Sequence, residues 1–350
     1  MENERHIVDA DAHVLESAAT WSYLSKSEAS FEPIVVAVQK NNGSLEEFWL
    51  LDGLLLPKSQ NLGTDTPRES RELTDVAARL KHMDQLGVDI QVIYPTVFLR
   101  PVTRRVEVEI ALCQSYNRFM AKIWEQGNNR IRWVVLLPLL SMDKALADLP
   151  WAKENGACGV FMRGLECDRH LCDSYFFPLY KQAAVLDLPI CVHSGSGSFP
   201  MHDYYNTETS FPKFKLLNVT GFHTLIFNGI PDMFPKLRFG FIESGAQWVP
   251  YAVHDLVRRI ERQRGNPKGT LKGNFLADNR MFVTCQTDDD LPYILRYSGD
   301  DNLIIGTDYG HSDVSAEIDA LKTFRQYSGV SERVADKILS ENAKQFYALD

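Results

Sequence analysis

The sequence predicts an α/β fold, a (β/α)8 TIM barrel with a small hairpin insertion after strand 1 and a C-terminal helix. Two observations carry this reading. Eight short, apolar, strand-like runs recur along the 350 residues, with helix-like stretches between them. Several runs also end in a histidine or an acid, and barrels of this kind place their chemistry at the C-terminal strand ends.

In chain order the runs are His6–His13, Asp89–Pro95, Ile131–Pro138, Cys158–Met162, Pro189–His193, Leu237–Glu243, Met281–Cys285 and Asn302–Asp308. Each is rich in β-branched or aromatic residues and apolar on both faces, as strands buried within a parallel sheet are. Between them, Thr74–Leu86 spaces Val76, Leu80 and Met83 for one helical face and meets a stop at Gly87. The stretches Val106–Gln126, Asp143–Asn155, Phe177–Leu186, Val249–Arg264 and Asp289–Tyr297 read as helices in the same way, and Ser331–Tyr347 supplies the closing one. Two segments exceed an ordinary connection. Glu32–Arg71 is expected to leave the barrel as a hairpin over its mouth, and Ser194–Phe222 to form a long loop after strand five. No repeat, low-complexity tract or linker divides the chain, so residues 1–350 read as one metal-dependent barrel domain.

Composition narrows the function. A chain 45% hydrophobic and 24% charged has ample core. Its net charge of −9 argues against nucleic acid as a partner, since that would demand a basic footprint. No apolar run approaches membrane-spanning length, and the polar N-terminus does not read as a signal peptide. Six cysteines without CxxC spacing suit reduced thiols, and the expected location is cytoplasmic.

Asp11 and His13 close the first run, His193 the fifth and Asp308 the eighth. Residues two apart on a strand share a face at roughly 6–7 Å. Asp11 and His13 can therefore both face the mouth of a closed barrel, where strand eight neighbours strand one and His193 reaches across. Two imidazoles and two carboxylates around one point suit a divalent ion such as Zn2+ or Mn2+. Taken singly, each residue is as readily a cap, a turn or a satisfied core histidine; the four together favour a metal site.

The chain resembles the amidohydrolase-related branch of the amidohydrolase superfamily, which includes aminocarboxymuconate-semialdehyde decarboxylase and γ-resorcylate decarboxylase. The resemblance runs nearly end to end. It rests on Asp9-Ala-Asp11-Ala-His13-Val-Leu-Glu16, Met83-Asp-Gln-Leu-Gly-Val-Asp89, Tyr116-Asn117, Pro189-Ile-Cys-Val-His-Ser-Gly195, Phe234-Pro-Lys-Leu-Arg238, Glu243-Ser-Gly-Ala-Gln-Trp-Val-Pro250 and Gly306-Thr-Asp-Tyr-Gly-His311. It implies a mononuclear metal held by Asp11, His13, His193 and Asp308, with Asp308 also carrying protons. Met162-Arg163 stands where binuclear relatives carry a carboxylated lysine. Many relatives place a catalytic histidine near the end of strand six; this chain has Glu243, either a proton-transfer group if burial raises its pKa or a partner orienting His193. His223 is a second candidate imidazole, and His311 reads as a loop-orienting residue.

For substrate recognition, Arg163 is the candidate carboxylate fork, with a salt bridge to Glu166 as the competing reading. Phe199, Trp248 and Tyr309 are candidate ring walls, although ordinary packing competes. Glu16 could pair with an arginine or reach substrate. The expected reaction is non-oxidative decarboxylation of an aromatic or unsaturated carboxylic acid, with Asp308 delivering the proton. The alternatives are hydrolysis of an amide, cyclic imide or lactone by a metal-activated water, and a non-catalytic binding barrel. A small-molecule partner and a homodimer complete the expectation.

Overall fold

A computed structural model describes residues 6–58, 61–205, 211–264, 274–326 and 329–349. Its centre is an eight-stranded, all-parallel sheet. The first strand is β1 (Val8–Val14). An excursion follows, made of β2 (Ile34–Gln39), β3 (Leu45–Leu51) and β4 (Leu54–Pro57). The barrel resumes with β5 (Ile90–Pro95), β6 (Ile131–Val135) and β7 (Ala157–Arg163). A two-residue pair, β8 (Leu165–Glu166) and β9 (Arg169–His170), precedes β10 (Ile190–His193), β11 (Phe239–Ile242), β12 (Met281–Cys285) and β13 (Leu303–Ile305). The eight barrel strands fall on the eight apolar runs, and nearly every residue in them is buried. Alternation is absent because helices cover one face and the barrel interior the other.

Sequence order around the sheet is β1-β5-β6-β7-β10-β11-β12-β13. The seam between β13 and β1 is closed just beyond the last strand. The Asp308 amide donates to the Asp11 carbonyl at 2.8 Å, and the His13 amide to the Tyr309 carbonyl at 3.0 Å. Asp9 adds a side-chain clasp, accepting from the Thr307 amide at 2.9 Å and its hydroxyl at 2.6 Å. Gly306 makes the approach possible, because a Cβ there would stand 2.3 Å from the Asp11 Cβ.

The helices follow local rules. In Val76–Leu86, Asp75 caps the N-terminus by accepting from the Ala78 amide at 3.0 Å. Gly87 ends it with φ 69°, a left-handed geometry that glycine adopts at no steric cost. The closing stretch is helical from Glu332 to Tyr347, with one π turn at Lys337–Glu341.

Two expectations are revised. The insertion is a three-stranded antiparallel sheet, β2-β3-β4, rather than a two-stranded hairpin. The long segment after strand five is also not simply a loop. It carries helices Phe199–Tyr204 and Leu216–Phe227, the second continuing directly from a π turn at Phe211–Lys215. The helix of Leu-Leu-Asn-Val-Thr-Gly-Phe-His-Thr-Leu-Ile-Phe is apolar nearly all round and rich in poor helix formers, so no amphipathic period announces it. Packing against the barrel overrides its weak propensity.

Candidate functional site

Strand geometry brings Asp11, His13, His193 and Asp308 to one end of the barrel. Ligand atoms of Asp11, His13 and His193 lie within 4.8 Å of one another, and so do those of His13, Asp308 and His311. His13 Nε2 is 3.5 Å from Asp11 Oδ1 and 3.4 Å from Asp308 Oδ1. His193 Nε2 is 3.3 Å from Asp11 Oδ1. All four side chains are at least 96% buried.

Each imidazole is aimed by its other nitrogen. His13 Nδ1 meets the Pro95 carbonyl at 3.1 Å, and His193 Nδ1 the Ser194 carbonyl at 3.0 Å. With Nδ1 as donor, Nε2 of both rings is left with a free lone pair facing the centre, the arrangement a metal-binding histidine requires. Burial lowers the His13 pKa to about 3, which keeps the ring neutral. Asp11 is pulled the other way: burial would raise its pKa, but His193 and His13 outweigh this and hold it low.

Asp308 and Glu243 carry the opposite perturbation. Burial, then the Asp11 and Asp313 charges, push Asp308 well above the usual carboxylate range. Burial and the Asp308 charge do the same to Glu243. Among the described residues, His13 Nε2, Asp308 Oδ2 and Glu243 Oε2 are buried without a hydrogen-bond partner. Orphaned acceptors and mutually repelling carboxylates around two imidazoles are what a divalent cation would satisfy. The donor set of two nitrogens and two carboxylates therefore fits one such ion. Asp308 and Glu243 also adopt left-handed backbone, with φ 52° and 62°. For non-glycine residues that costs about 1–3 kcal/mol each and is found where side chains must be aimed.

His311 is closer to the centre than its sequence position suggested. Its Nδ1 lies 2.7 Å from Asp308 Oδ1, and its ring centroid is 4.1 Å from that of His13. Thr96 Oγ1 donates to the Val14 carbonyl at 2.8 Å, so it accepts from His311 Nε2 at 3.1 Å. That fixes the ring edge-on to Asp308. The Asp-x-x-His spacing on the turn after strand eight was the available signal.

The remaining candidates are dispersed. Glu243 Oε2 is 3.3 Å from His193 Nδ1, beside the Ser194 carbonyl that already holds that nitrogen. Arg163 is committed: Nε binds Glu166 Oε1 at 2.8 Å, Nη2 binds Oε2, and Nη1 donates to the carbonyls of Phe98 at 3.0 Å and Arg100 at 2.9 Å. Glu166 is thus its partner, and Arg163 braces the loop after β5. Among the described residues Glu16 pairs with no arginine; it accepts from the amides of Thr96 and Val97, both at 3.0 Å. His223 lies on the Leu216–Phe227 helix, paired with Asp255 at 2.9 Å. Trp248 packs on Phe222 and Phe241 and donates to the Gly245 carbonyl. Tyr309 is fully buried, with the Arg79 guanidinium 3.5 Å from its ring centre and its hydroxyl 2.7 Å from His82 Nδ1.

Several cavities open near this end of the barrel, and one of about 220 Å³ is lined by Asp308 together with Tyr309 and His311. Another, of about 270 Å³, is lined by Glu243 and His311, with Thr96, Ser194, Arg100 and Lys215. A third, of about 240 Å³, holds Arg163, Glu166 and Phe199. Phe199 therefore borders a neighbouring space, where the Arg104 guanidinium lies 4.2 Å from its ring centre.

The amidohydrolase family model matches residues 8–349. Several solved structures share the fold. An amidohydrolase from Mycobacterium avium subsp. paratuberculosis is 18% identical, with 98% of each chain covered and a TM-score of 0.77. A 2,6-dihydroxybenzoate decarboxylase from Rhizobium is 17% identical over 99% of each chain, with a TM-score of 0.66. A 5-carboxyvanillate decarboxylase from Novosphingobium aromaticivorans, in complex with manganese and 4-hydroxy-3-methoxy-5-nitrobenzoic acid, is 19% identical over 81% of this chain and 83% of that one, with a TM-score of 0.65. By a match that spans almost its whole length, the chain belongs to the amidohydrolase family.

Proposed function

We propose that this protein, as one barrel domain, is a metal-dependent, non-oxidative decarboxylase of an aromatic or unsaturated carboxylic acid. The observation that carries the reading is the buried convergence of Asp11, His13, His193 and Asp308, with Asp308 Oδ2 left without a hydrogen-bond partner. Decarboxylases of aromatic acids among the solved structures of the same fold support the reaction type, and the manganese bound by one of them supports Mn2+ beside Zn2+.

Asp11, His13, His193 and Asp308 would hold the ion, which when bound supplies a Lewis acid for the substrate carboxylate. The chain's own residues do the rest. The carbonyls of Pro95 and Ser194 keep both imidazoles in the ligating tautomer. Asp308 gives a proton from Oδ2 to the ring carbon as the bond to the carboxylate breaks, and carbon dioxide leaves. His311, fixed by Thr96, holds Asp308 in line through Oδ1. Glu243, whose pKa burial and the Asp308 charge push upward, closes the side of the cavity.

Hydrolysis of an amide, imide or lactone is the second reading. It is favoured by Glu243 itself, a buried carboxyl suited to cycling a proton to a leaving group. Turnover of candidate aromatic acids by Mn2+-loaded protein in D₂O separates the two. Decarboxylation places deuterium at the vacated carbon, whereas products that keep every carbon and gain solvent ¹⁸O would end the decarboxylase reading.

A reducing, cytoplasmic setting is supported by all six cysteines being unpaired; no described helix is long and apolar enough to cross a membrane. A homodimer is supported by the exposed Ile34, Val38 and Leu45 on the inserted sheet.

A further inference from the structure

The inserted sheet leaves one of its strands half paired. β2 (Ile34–Gln39) lies at the edge of the order β2-β3-β4, and among the described residues no strand pairs with its far side. The bond from the Lys40 amide to the Ser44 carbonyl, 2.8 Å long, sets the phase of the ladder. With the register Val38↔Glu46, Val36↔Phe48 and Ile34↔Leu50, the even-numbered residues of β2 direct both backbone groups at β3. The amides and carbonyls of Val35, Ala37 and Gln39 therefore point outward. β3 keeps the same alternation, since the odd-numbered Glu47 carbonyl accepts from the other side, from the Lys58 amide at 3.0 Å.

Exposed edges are ordinarily blunted by a charge, a proline or a bulge, because they template pairing with another chain. Ile-Val-Val-Ala-Val-Gln has none of these. Five of its six residues are exposed, with Ile34 at 52%, Val35 at 44% and Val38 at 47%, so apolar side chains stand free on both faces. The strand projects clear of its own barrel. Apolar surface and unfilled ladder groups coincide here, and one kind of occupant satisfies both: another strand.

The residues around β2 decide which strand and in which register. Pro33 is buried and has no amide, so pairing cannot run past Val35. At the other end the chain turns at Asn41 and Asn42. An antiparallel copy of β2 centred on Ala37 fills every outward group between those limits. Ala37 meets Ala37, Val35 meets Gln39 on either side of it, and each pair exchanges two hydrogen bonds. Sliding the copy by two residues brings Pro33 or the turn residue Asn41 into the ladder and leaves groups unmatched. Charge agrees with the central register: it sets the exposed Lys40 diagonally across from the exposed Glu32 of the second copy, at both ends of the pair. The contact is its own complement under a two-fold rotation, so it closes at two chains.

We propose that β2 is a dimer interface, pairing antiparallel about Ala37 with β2 of a second copy and joining two three-stranded sheets into one of six strands. The inference rests on the homodimer reading for its occupant and takes nothing from the reaction. It also ties assembly to the site. The opposite edge of each sheet, β4, supplies Leu56 and Pro57, which with Lys58 line the cavity of about 270 Å³.

Sedimentation of the full chain gives the first readout, with wild type expected at about twice 39.8 kDa. Ala37→Pro removes an outward amide from each strand and leaves the bonds to β3 intact. It should weaken self-association at least about tenfold, with an unchanged circular dichroism spectrum. Cysteine substitution then reads the register. Under oxidation Ala37→Cys should give a disulfide-linked dimer, because the two positions face each other. Gln39→Cys should stay unlinked, because an offset of about 13 Å along the strand exceeds the roughly 7 Å that separates bridged Cα atoms at most. Wild type, with its own six cysteines, sets the background. Ala37→Cys is conservative and still decides the matter if the proline variant does not fold. No linkage at Ala37, or a dimer that Ala37→Pro leaves equally tight, overturns the edge pairing while the homodimer reading stands. Linkage at Gln39 in preference to Ala37 overturns the register and the proposal with it. Wild type that sediments as a single chain at every soluble concentration sinks both.

Discussion

His13 Nε2 and Asp308 Oδ1 stand 3.4 Å apart across the seam where the last barrel strand meets the first. The seam is held by backbone bonds on either side of this pair, from Asp308 to Asp11 and from His13 to Tyr309. Barrel closure and assembly of this part of the proposed metal site are thus one event: Asp308 meets His13 because the sheet closes.

Metal occupancy should follow from that coupling. Wild-type protein is expected to hold one divalent ion per chain, and His193→Ala to lose most of it to a weak chelator. With free metal at about 100 times Kd, binding should stabilise the fold by about 3 kcal/mol, seen as a fall in Tm on chelation. Elemental analysis and thermal melts check both; an unchanged Tm on complete metal removal would contradict the coupling.

Asp308→Asn keeps the shape and removes the transferable proton. Turnover should drop by about 10²–10⁴-fold, with the circular dichroism spectrum unchanged. His223→Ala, on an outer helix and paired with Asp255, should stay within about twofold of wild type. Comparable loss in both variants would argue against Asp308 as the proton carrier.

Arg163 carries structural weight. Its partner Glu166 has a side chain only 1% exposed, so Arg163→Ala leaves a buried charge without a counter-ion. The expected cost is about 3–5 kcal/mol in urea unfolding, partly recovered by adding Glu166→Gln. A single variant as stable as wild type would show that the pair does not brace the loop.

Glu16 gives a pH signature. Burial raises its folded-state pKa to about 7, above an unfolded value near 4.3. The folded state therefore binds the proton more tightly. Wild type should be most stable relative to Glu16→Gln below about pH 4, losing on the order of 3 kcal/mol of that advantage as pH rises through 7. Unfolding midpoints of both proteins at pH 5 and 8 measure it; a difference that grows towards alkaline pH would reverse the sign.

The barrel was legible in the chain because its strands are buried on both faces. Runs such as Pro189–His193 and Asn302–Asp308 are apolar without alternation, and polar residues mark their ends. The same simplicity exposed Asp11, His13, His193 and Asp308, since residue type and strand position both point to the mouth. The sequence could not rank side chains that depend on their partners. Arg163 reads as a carboxylate fork, yet four of its five N–H donors are taken by Glu166 and two carbonyls. Trp248, Tyr309 and His223 were likewise plausible until packing turned them towards Phe222, Arg79 and Asp255. Local pattern encodes which strands form and what ends them. Hydrogen-bond saturation, and with it which charge remains free for a ligand, is settled only when distant loops are packed against each other.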